Sequence, residues 1–589
     1  MGVFISNSKS VELTKGEEKV LDALKRMYSE TEYEVVIYVQ AILSSKRPDF
    51  IVIDSKNGVS ILEVKDWSED YIKEVNKRKV TLLDGQCDNP NIQVKGYRTI
   101  LCSGMFSRDF DIDESEISTA VILTNLPESI RTNEKYRDLF RDDVKYLFKN
   151  DISKLTTDKI FNDKCKGFSS EDLKKIRVAL FPELEIVNCE NDELEVVDIK
   201  ALDYDQEEFA RKIPYGHYMV TGIPGSGKTV ILLARAVHLI KENPNWKILI
   251  LTYNKSLSYK LKSKLDKMAE NFENDINNRD INIDNIEVRH FHGEISILTG
   301  RIRKPANIDK NTWFRETVVE RATLKAKPMY DAVLIDEYQD FYISWIELAL
   351  KLCKEYEDKN HKIVKNLFLA GDRLQSIYNK NDISWSSIGI DMRGRSKLLK
   401  TSYRSAKQHM TLALNFLSQN KTLKAEVDKF YKDDSNDDEL YSINDGSVEF
   451  LIGNYNCIAD KIVELKNKGY ENKDILILAD SEKSCRNIKN NISNSIKYQM
   501  EYVKDIDSED FNNNIILTTY HSSKGLEAKV VFLTNMDSIY NGDDVGEQLK
   551  RKTVYVGITR ASEKLYIQSR VGESQKIVGE LKKLMCEKI

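Results

Sequence analysis

No leader of charged, apolar and small residues opens this 589-residue sequence, and no run of about 18 apolar residues occurs in it. Secretion and membrane spanning are therefore not expected, and the cytoplasm is the expected compartment. Paired cysteines are missing too. The eight, at 87, 102, 165, 189, 353, 457, 485 and 586, stand singly, without the spacing that thiolate metal sites require, so reduced thiols and no zinc or iron–sulfur cluster are expected. His290 and His292, in RHFHGE, have no second ligand pair and read as packing residues. An excess of positive charge is also absent. The net charge is −5 and the isoelectric point about 6.0, which excludes a global electrostatic signature of nucleic-acid binding and leaves only local ones. Basic segments do occur at 254–267 and 393–407. A hydrophobic content of 41% is enough for several cores, and no repeat of solenoid length is present.

HYMVTGIPGSGKTVILLARAVHLI places Gly222, Gly225, Gly227, Lys228 and Thr229 between an apolar strand and an apolar-periodic helix. Glycines let backbone N–H groups turn inward around phosphate oxygens, and the helix N-terminus adds its dipole. Lys228 then meets the β and γ phosphates, and Thr229 holds Mg²⁺. Further on, DAVLIDEYQD reads as a buried strand, Ala332 to Ile335, that delivers Asp336 and Glu337 at its carboxyl end. Asp336 completes the Mg²⁺ shell in this reading, and Glu337 orients and deprotonates the attacking water.

With these motifs in place, residues 202–567 resemble superfamily 1 helicases of the UvrD/Rep type. The matching segments are LDYDQEEFA (Gln206), LTYNKS (Tyr253), GDRLQSIY (Gln375, Tyr378), LKTSYRS (Tyr403, Arg404), TTYHSSKGLE (His521, Lys524 to Glu527) and VYVGITRA (Arg560). The resemblance implies two RecA-like lobes, parallel sheets with helices on both faces, that close on ATP. It also implies adenine contacts from Gln206 and Tyr403, γ-phosphate contacts from Gln375, Arg404 and Arg560, and single-stranded DNA contacts from Tyr253, Tyr378 and His521. Travel from 3′ to 5′ is implied as well. Two departures stand out. NKNDISW replaces the family's tryptophan-arginine step after QSIY, with Trp385 as a substitute, and the gaps Glu294 to Ala332 and Arg404 to Lys524 are too short for the family's accessory subdomains. Translocation on a single strand is expected in preference to processive unwinding.

RPDFIVIDSKNGVSILEVKDW, at 47–67, reads as a hairpin carrying Asp49, Glu63 and Lys65. Side chains alternate faces along a strand, so Glu63 and Lys65 share one. A two-residue Asn57-Gly58 turn sends Asp49 to the other face, whereas a three-residue loop Lys56-Asn57-Gly58 pairs residue 49 with 65 and 51 with 63. The second arrangement, or a bulge with the same effect, is expected. The trio then resembles the PD-(D/E)xK nucleases, in which the two acids and a backbone carbonyl hold Mg²⁺ and the lysine positions water.

An amphipathic helix, TKGEEKVLDALKRM, offers Glu17 or Glu18, and NPNIQVKGY supplies Gln93. Together these segments resemble the NERD domain, a nuclease-related module, over about the first 130 residues. The expected architecture is α/β: a restriction-endonuclease-like domain (1–130), a mostly helical linker (131–200) with a Ser169 cap, a first lobe (201–398) and a second lobe (399–589) with a surface loop at 432–440. The function this implies is an ATP- and Mg²⁺-dependent single-strand DNA translocase or helicase joined to a metal-dependent nuclease. Its expected partners are single-stranded or forked DNA and a protein of a bacterial defence or DNA-processing system, with no membrane. The rival readings are a nucleic-acid-sensing ATPase switch whose first domain binds without cutting, and an RNA-directed ATPase.

Overall fold

The computed structural model describes residues 3–6, 13–43, 46–106, 112–184, 202–211, 215–253, 255–273, 281–300, 302–357, 361–377, 385–431, 441–442, 445–503, 514–538, 544–570 and 576–586. The chain divides into two compact units. One comprises Met1–Tyr215, Leu233–Trp246 and Ser263–Ile286, the other Gly216–Leu232, Lys247–Lys262 and Glu287–Ile589. Among the described residues no helix is long and apolar enough to cross a membrane, and Cys87, Cys102, Cys165, Cys353, Cys457 and Cys485 are free.

The first unit is built on a six-stranded sheet. In chain order its strands are β1 (Val3–Ile5), β2 (Val35–Val39), β3 (Phe50–Asp54), β4 (Gly58–Lys65), β5 (Ile117–Leu123) and β6 (Lys145–Phe148). The β2/β3 and β3/β4 pairs are antiparallel, and β4/β5 and β5/β6 are parallel. The central strands are buried along their whole length, which is why FIVID and ISTAVIL read as continuous apolar runs with few polar interruptions. Helix α1 (Lys15–Met27) starts at a capping box between Thr14 and Glu17 and lays Val20, Leu21 and Leu24 against Val35, Ile37 and Leu62. A three-stranded antiparallel sheet within 72–88 precedes helix α2 (Pro90–Phe106).

The hairpin differs from the expected register. Ser55, Lys56 and Asn57 form the loop, Asp54 pairs with Gly58 and Phe50 with Leu62, so residue 49 lies across from 63 and not 65. The cause is Asp54. Its Oδ1 accepts from the backbone N–H of Lys56 (2.8 Å) and Asn57 (3.0 Å), and its Oδ2 from the Tyr28 hydroxyl (2.9 Å). This cap closes the turn one residue earlier and leaves Gly58, at φ +103°, to open β4 in a backbone that glycine adopts freely. The shift is an even number of positions along the strand, so the side-chain faces are unchanged. Asp54→Ala is expected to strip partners from a buried hydroxyl and two backbone donors. The expected cost is about 2–3 kcal/mol, read as a lower midpoint in denaturant unfolding of the first unit.

The N-terminal sheet continues past residue 130. β6 is the sixth strand of the N-terminal sheet, and Ile152, Ile160 and Phe161 lie in its core, because β5 needs a neighbour on its outer edge. Beyond it, helix α3 (Ser170–Leu180) begins at the predicted Ser169 cap, and helix α4 (Tyr204–Ala210) follows. Residues 185–200, expected to belong to the helical linker, and the loop expected at 432–440 fall outside the described residues.

The second unit holds two doubly wound sheets of six strands each. The first contains β7 (His217–Gly222), β8 (Ile248–Thr252), β9 (Ile286–His290), β10 (Ala332–Asp336), β11 (Leu367–Gly371) and β12 (Ser396–Leu399), in the order β9-β8-β10-β11-β7-β12. The second contains β13 (Ser447–Ile452), β14 (Ile475–Ala479), β15 (Met500–Tyr502), β16 (Ile515–Thr519), β17 (Ala528–Leu533) and β18 (Ala561–Ser569), in the order β13-β18-β17-β14-β16-β15. Its neighbouring strands pair in parallel. Helix α5 (Lys228–Glu242) leaves the first sheet directly after β7. Such sheets gather ligand-binding residues beyond the carboxyl ends of their strands.

Candidate active sites: an acidic cluster and a nucleotide cleft

Asp49, Glu63 and Lys65 come together on one face at the end of the β3/β4 hairpin. Asp49 Oδ2 accepts from the backbone N–H of Val64 at 2.6 Å, and Lys65 Nζ donates to Glu63 Oε1 at 2.6 Å. Glu63 is 3% exposed, and its Oε2 is buried without a hydrogen-bond partner. Burial, followed by the neighbouring charge of Glu63, pushes Asp49 up to about 9. Burial likewise raises Glu63. Lys65 is held up, since the Glu63 carboxylate beside it outweighs the lowering effect of burial, so its head group is an ammonium. Two buried acids, Asp49 raised by burial and by Glu63, and Glu63 raised by burial, are a donor set that a divalent cation would relieve, and the orphaned Glu63 Oε2 is a free ligand atom. Asp49 and Glu63 therefore fit Mg²⁺. Among the described residues no three His, Cys, Asp or Glu side chains gather as a metal cage, so two carboxylates would share the shell with a backbone carbonyl and water.

Sequence reasoning missed two members of this cluster. The Tyr97 phenol is raised by burial and by the charges of Glu63 and Asp49 beside it. Gln40, at φ +46°, donates from Nε2 to Glu17 Oε1 at 3.0 Å. The NP…Q segment carried a signal for Tyr97, which follows Gln93 by four residues and so shares its helix face. Nothing in the sequence marked Gln40. Gln93 Oε1 is buried without a hydrogen-bond partner.

In the second unit, Lys228 Nζ donates to the carbonyls of Gly222 (3.0 Å) and Ile223 (2.9 Å) across the loop where phosphates would sit. Burial lowers the pKa of Lys228, against the pull of Asp372 and Glu337. The Thr229 hydroxyl donates to Asp336 Oδ2 at 2.9 Å, so both predicted Mg²⁺ ligands converge. Asp336 is pushed up to about 7 by burial and by Glu337, again the signature of a site short of one cation. Glu337 sits in a left-handed backbone, φ 53° and ψ 44°, just past the strand end. Burial alone would raise Glu337, but Lys524 and Lys228 hold it below the usual carboxylate range.

Residues beyond the first sheet's last strand also reach this cleft. The Tyr403 backbone N–H donates to the Gly225 carbonyl at 3.0 Å, and the Ser402 hydroxyl donates to the Pro224 carbonyl at 2.9 Å. Gly225 has φ +74°, and a Cβ there would lie 2.7 Å from Arg404 Cβ, so only glycine suits this turn. Arg560 Nη2 donates to Gln375 Oε1 at 3.2 Å, and burial, then Arg404, lowers its pKa to about 10. Arg404 Nη1 donates to Glu527 Oε2 at 2.5 Å. Lys524 pairs with Asp340 and donates to the Gln375 carbonyl at 2.9 Å. Asp372, also missed from sequence, accepts from the Tyr555 hydroxyl at 3.3 Å. Lys228, Arg404, Lys524 and Arg560 thus gather around Asp336 and Glu337, an arrangement for a triphosphate with its metal.

Family models match three segments: a nuclease-related domain at residues 13–124, an AAA domain at 206–381 and a UvrD-like helicase C-terminal domain at 514–568. In order along the chain, these matches resemble a nuclease-related domain followed by a UvrD-like helicase core. Curated relatives include the ATP-dependent DNA helicase PcrA of Staphylococcus aureus, 42% identical over 76 residues, and that of Staphylococcus epidermidis, 41% identical over the same length. Each match spans 12% of this chain and 10% of the relative. Among solved structures, the arterivirus nonstructural protein 10 helicase in complex with DNA is 14% identical, with 64% of either chain covered and a TM-score of 0.29.

In the second unit, Tyr253 and His521, expected at DNA, lie beside Asp340 and Lys524, which pair with each other. The Tyr253 ring stacks on Trp345 (centroids 5.9 Å apart) in a cluster with Phe291 and Phe341, and is half-buried. His521 is half-buried, its pKa lowered by burial and then by Lys524. Tyr378 lies outside the described residues. Trp385 rests edge-on against Tyr338 at 5.6 Å. His292, read from sequence as a packing residue, stacks on Phe314 at 4.2 Å. Gln206, the expected adenine reader, is buried in the first unit as the third residue of α4, where its Oε1 accepts from the Asp203 backbone N–H at 3.0 Å.

Proposed function

We propose that this protein is an ATP-driven single-strand DNA translocase whose nuclease-related domain cuts DNA with a divalent cation. The observation that carries this reading is the convergence of Thr229, Asp336, Glu337, Arg404 and Arg560 on one cleft, in a chain that also sets Asp49, Glu63 and Lys65 on one face of a hairpin. In the cleft, Lys228 and the loop N–H groups bind the phosphates, and Glu337 takes the proton of the attacking water. Arg404, released from Glu527, and Arg560 neutralise charge on the γ-phosphate. Mg²⁺, held by Thr229 and Asp336, supplies electrostatic stabilisation there. The link between Arg560 and Gln375 joins the two sheets across the cleft, so its making and breaking can open and close the motor. In the first domain the Lys65 ammonium orients water and the scissile phosphate beside a cation held by Asp49 and Glu63. The domain boundaries that suit this division are those expected from sequence, with the nuclease-related part extended through β6. On the resemblance of the domain pair alone, we place the protein in a bacterial defence or DNA-processing system.

The test follows phosphate release and strand breaks together, for wild type, Lys65→Ala and Glu337→Gln, on single-stranded, forked and duplex DNA with and without ATP. The reading requires DNA-stimulated hydrolysis and Mg²⁺-dependent nicking. A second reading is a DNA-sensing switch that binds without cutting. Stimulated hydrolysis without any nicking selects that reading. Arg560→Ala is expected to slow hydrolysis about 10³-fold in a coupled phosphate assay. Long duplexes are expected to stay paired when the chain acts alone, and efficient strand separation in a gel assay would refute this.

A further inference from the structure

Several contacts inside the first compact unit tie nucleotide-site elements to the nuclease-related sheet. Helix α5 is one continuous helix that begins at Lys228, and its residues from Leu233 onward pack within the unit that holds Asp49, Glu63 and Lys65. In its last turn, Glu242 Oε2 accepts from Arg47 Nη2 at 2.8 Å. Arg47 is joined through Pro48 to Asp49, and its carbonyl accepts from the Tyr97 hydroxyl at 3.5 Å. The proline ring fixes one backbone torsion and restricts its neighbour, so little slack separates the Arg47 backbone from the Asp49 carboxylate.

Helix α4, which carries Gln206, is fixed to the same sheet. Its Glu207 is wholly buried, pairs with Arg177 (2.6 Å) and Arg211 (3.4 Å), and accepts from the Tyr38 hydroxyl of β2 at 3.4 Å. Tyr204 stacks on Phe4 of β1 at 4.8 Å. Arg235 of α5 donates to the Ala210 carbonyl of α4 at 3.2 Å, and Lys241 pairs with Glu183 at 3.4 Å. Buried ion networks of this kind contribute little net stability over apolar packing but hold one geometry, since breaking any member leaves a charge uncompensated.

We infer that Glu242 is a positioning residue for the nuclease centre: through Arg47 it sets the Asp49 carboxylate according to the P-loop helix, so nucleotide bound at Lys228 changes DNA cleavage at Asp49, Glu63 and Lys65. The inference rests on the two activities proposed above. A helix is stiff along its axis, so a ligand that prefers one placement of its N-terminal turn biases the pair at its last turn.

Hydrogen exchange on the full chain, with and without Mg²⁺ and a non-hydrolysable ATP analogue, provides the test. In wild type the analogue is expected to protect the P-loop and to change exchange across 47–52 about fivefold or more, with nicking changed by a similar factor. Glu242→Ala should keep the P-loop protection but lose both responses. The charge swap Arg47→Glu with Glu242→Arg should restore them, which a merely structural role would not predict. P-loop protection without a response at 47–52 in wild type overturns the coupling and leaves ATP binding standing. A response that survives in Glu242→Ala overturns the residue assignment. Absence of P-loop protection overturns the nucleotide-site reading itself, and the coupling with it.

Discussion

Glu337→Gln is expected to bind ATP with near wild-type affinity and to hydrolyse it about 10³-fold more slowly, with or without DNA. The carboxylate is placed for proton abstraction by three features: a left-handed backbone at the strand end, the adjacent metal-ligand position Asp336, and two lysines that keep it ionised. An amide retains the size of the group but accepts no proton. It also keeps the contact with Gln339, whose Oε1 accepts from the Asp372 backbone N–H at 3.0 Å, so the neighbouring strand end should hold its shape. Single-turnover hydrolysis beside equilibrium binding of a fluorescent analogue separates the two effects. A fall of less than tenfold would remove Glu337 from the role of base.

Lys65→Ala is expected to lower Mg²⁺-dependent DNA cleavage at least about 10²-fold while leaving DNA-stimulated ATP hydrolysis at its wild-type rate. Among the described residues, the ammonium is the cation paired with Glu63 (2.6 Å). Removing it takes away the group that orients water and phosphate, and also leaves the buried acid less compensated. Retained ATPase activity and an unchanged unfolding midpoint would separate lost chemistry from lost fold. Cleavage at the wild-type rate would sink the assignment of this hairpin as the cutting centre.

The hairpin also marks the limit of sequence reading. Alternation of side chains along β4 fixed Glu63 and Lys65 on one face, and an odd loop length brought Asp49 to join them. The loop falls one residue earlier than expected, because the carboxylate of Asp54, the last residue of β3, caps the turn and binds Tyr28 from α1. The partner of that carboxylate is 26 residues away, which no local pattern reveals. β6, which lies past residue 130, left a similarly faint signal, since it is short and joins the sheet through pairing with β5.

By itself the sequence determined the chemistry-bearing segments and their local form: a glycine loop between strand and helix, two acids at the end of a buried strand, and an acid and a lysine two residues apart. These are properties of neighbours along the chain, set by backbone periodicity and by which residues tolerate a tight turn. Tertiary structure alone decided which distant groups share a site. It brought Tyr97 beside Glu63, Lys524 onto Asp340, Arg560 onto Gln375, and Glu242 onto Arg47. Long-range pairing of charges depends on where whole strands and helices pack. That is settled by burial of apolar faces over the entire unit and leaves no mark on the residues flanking each charge.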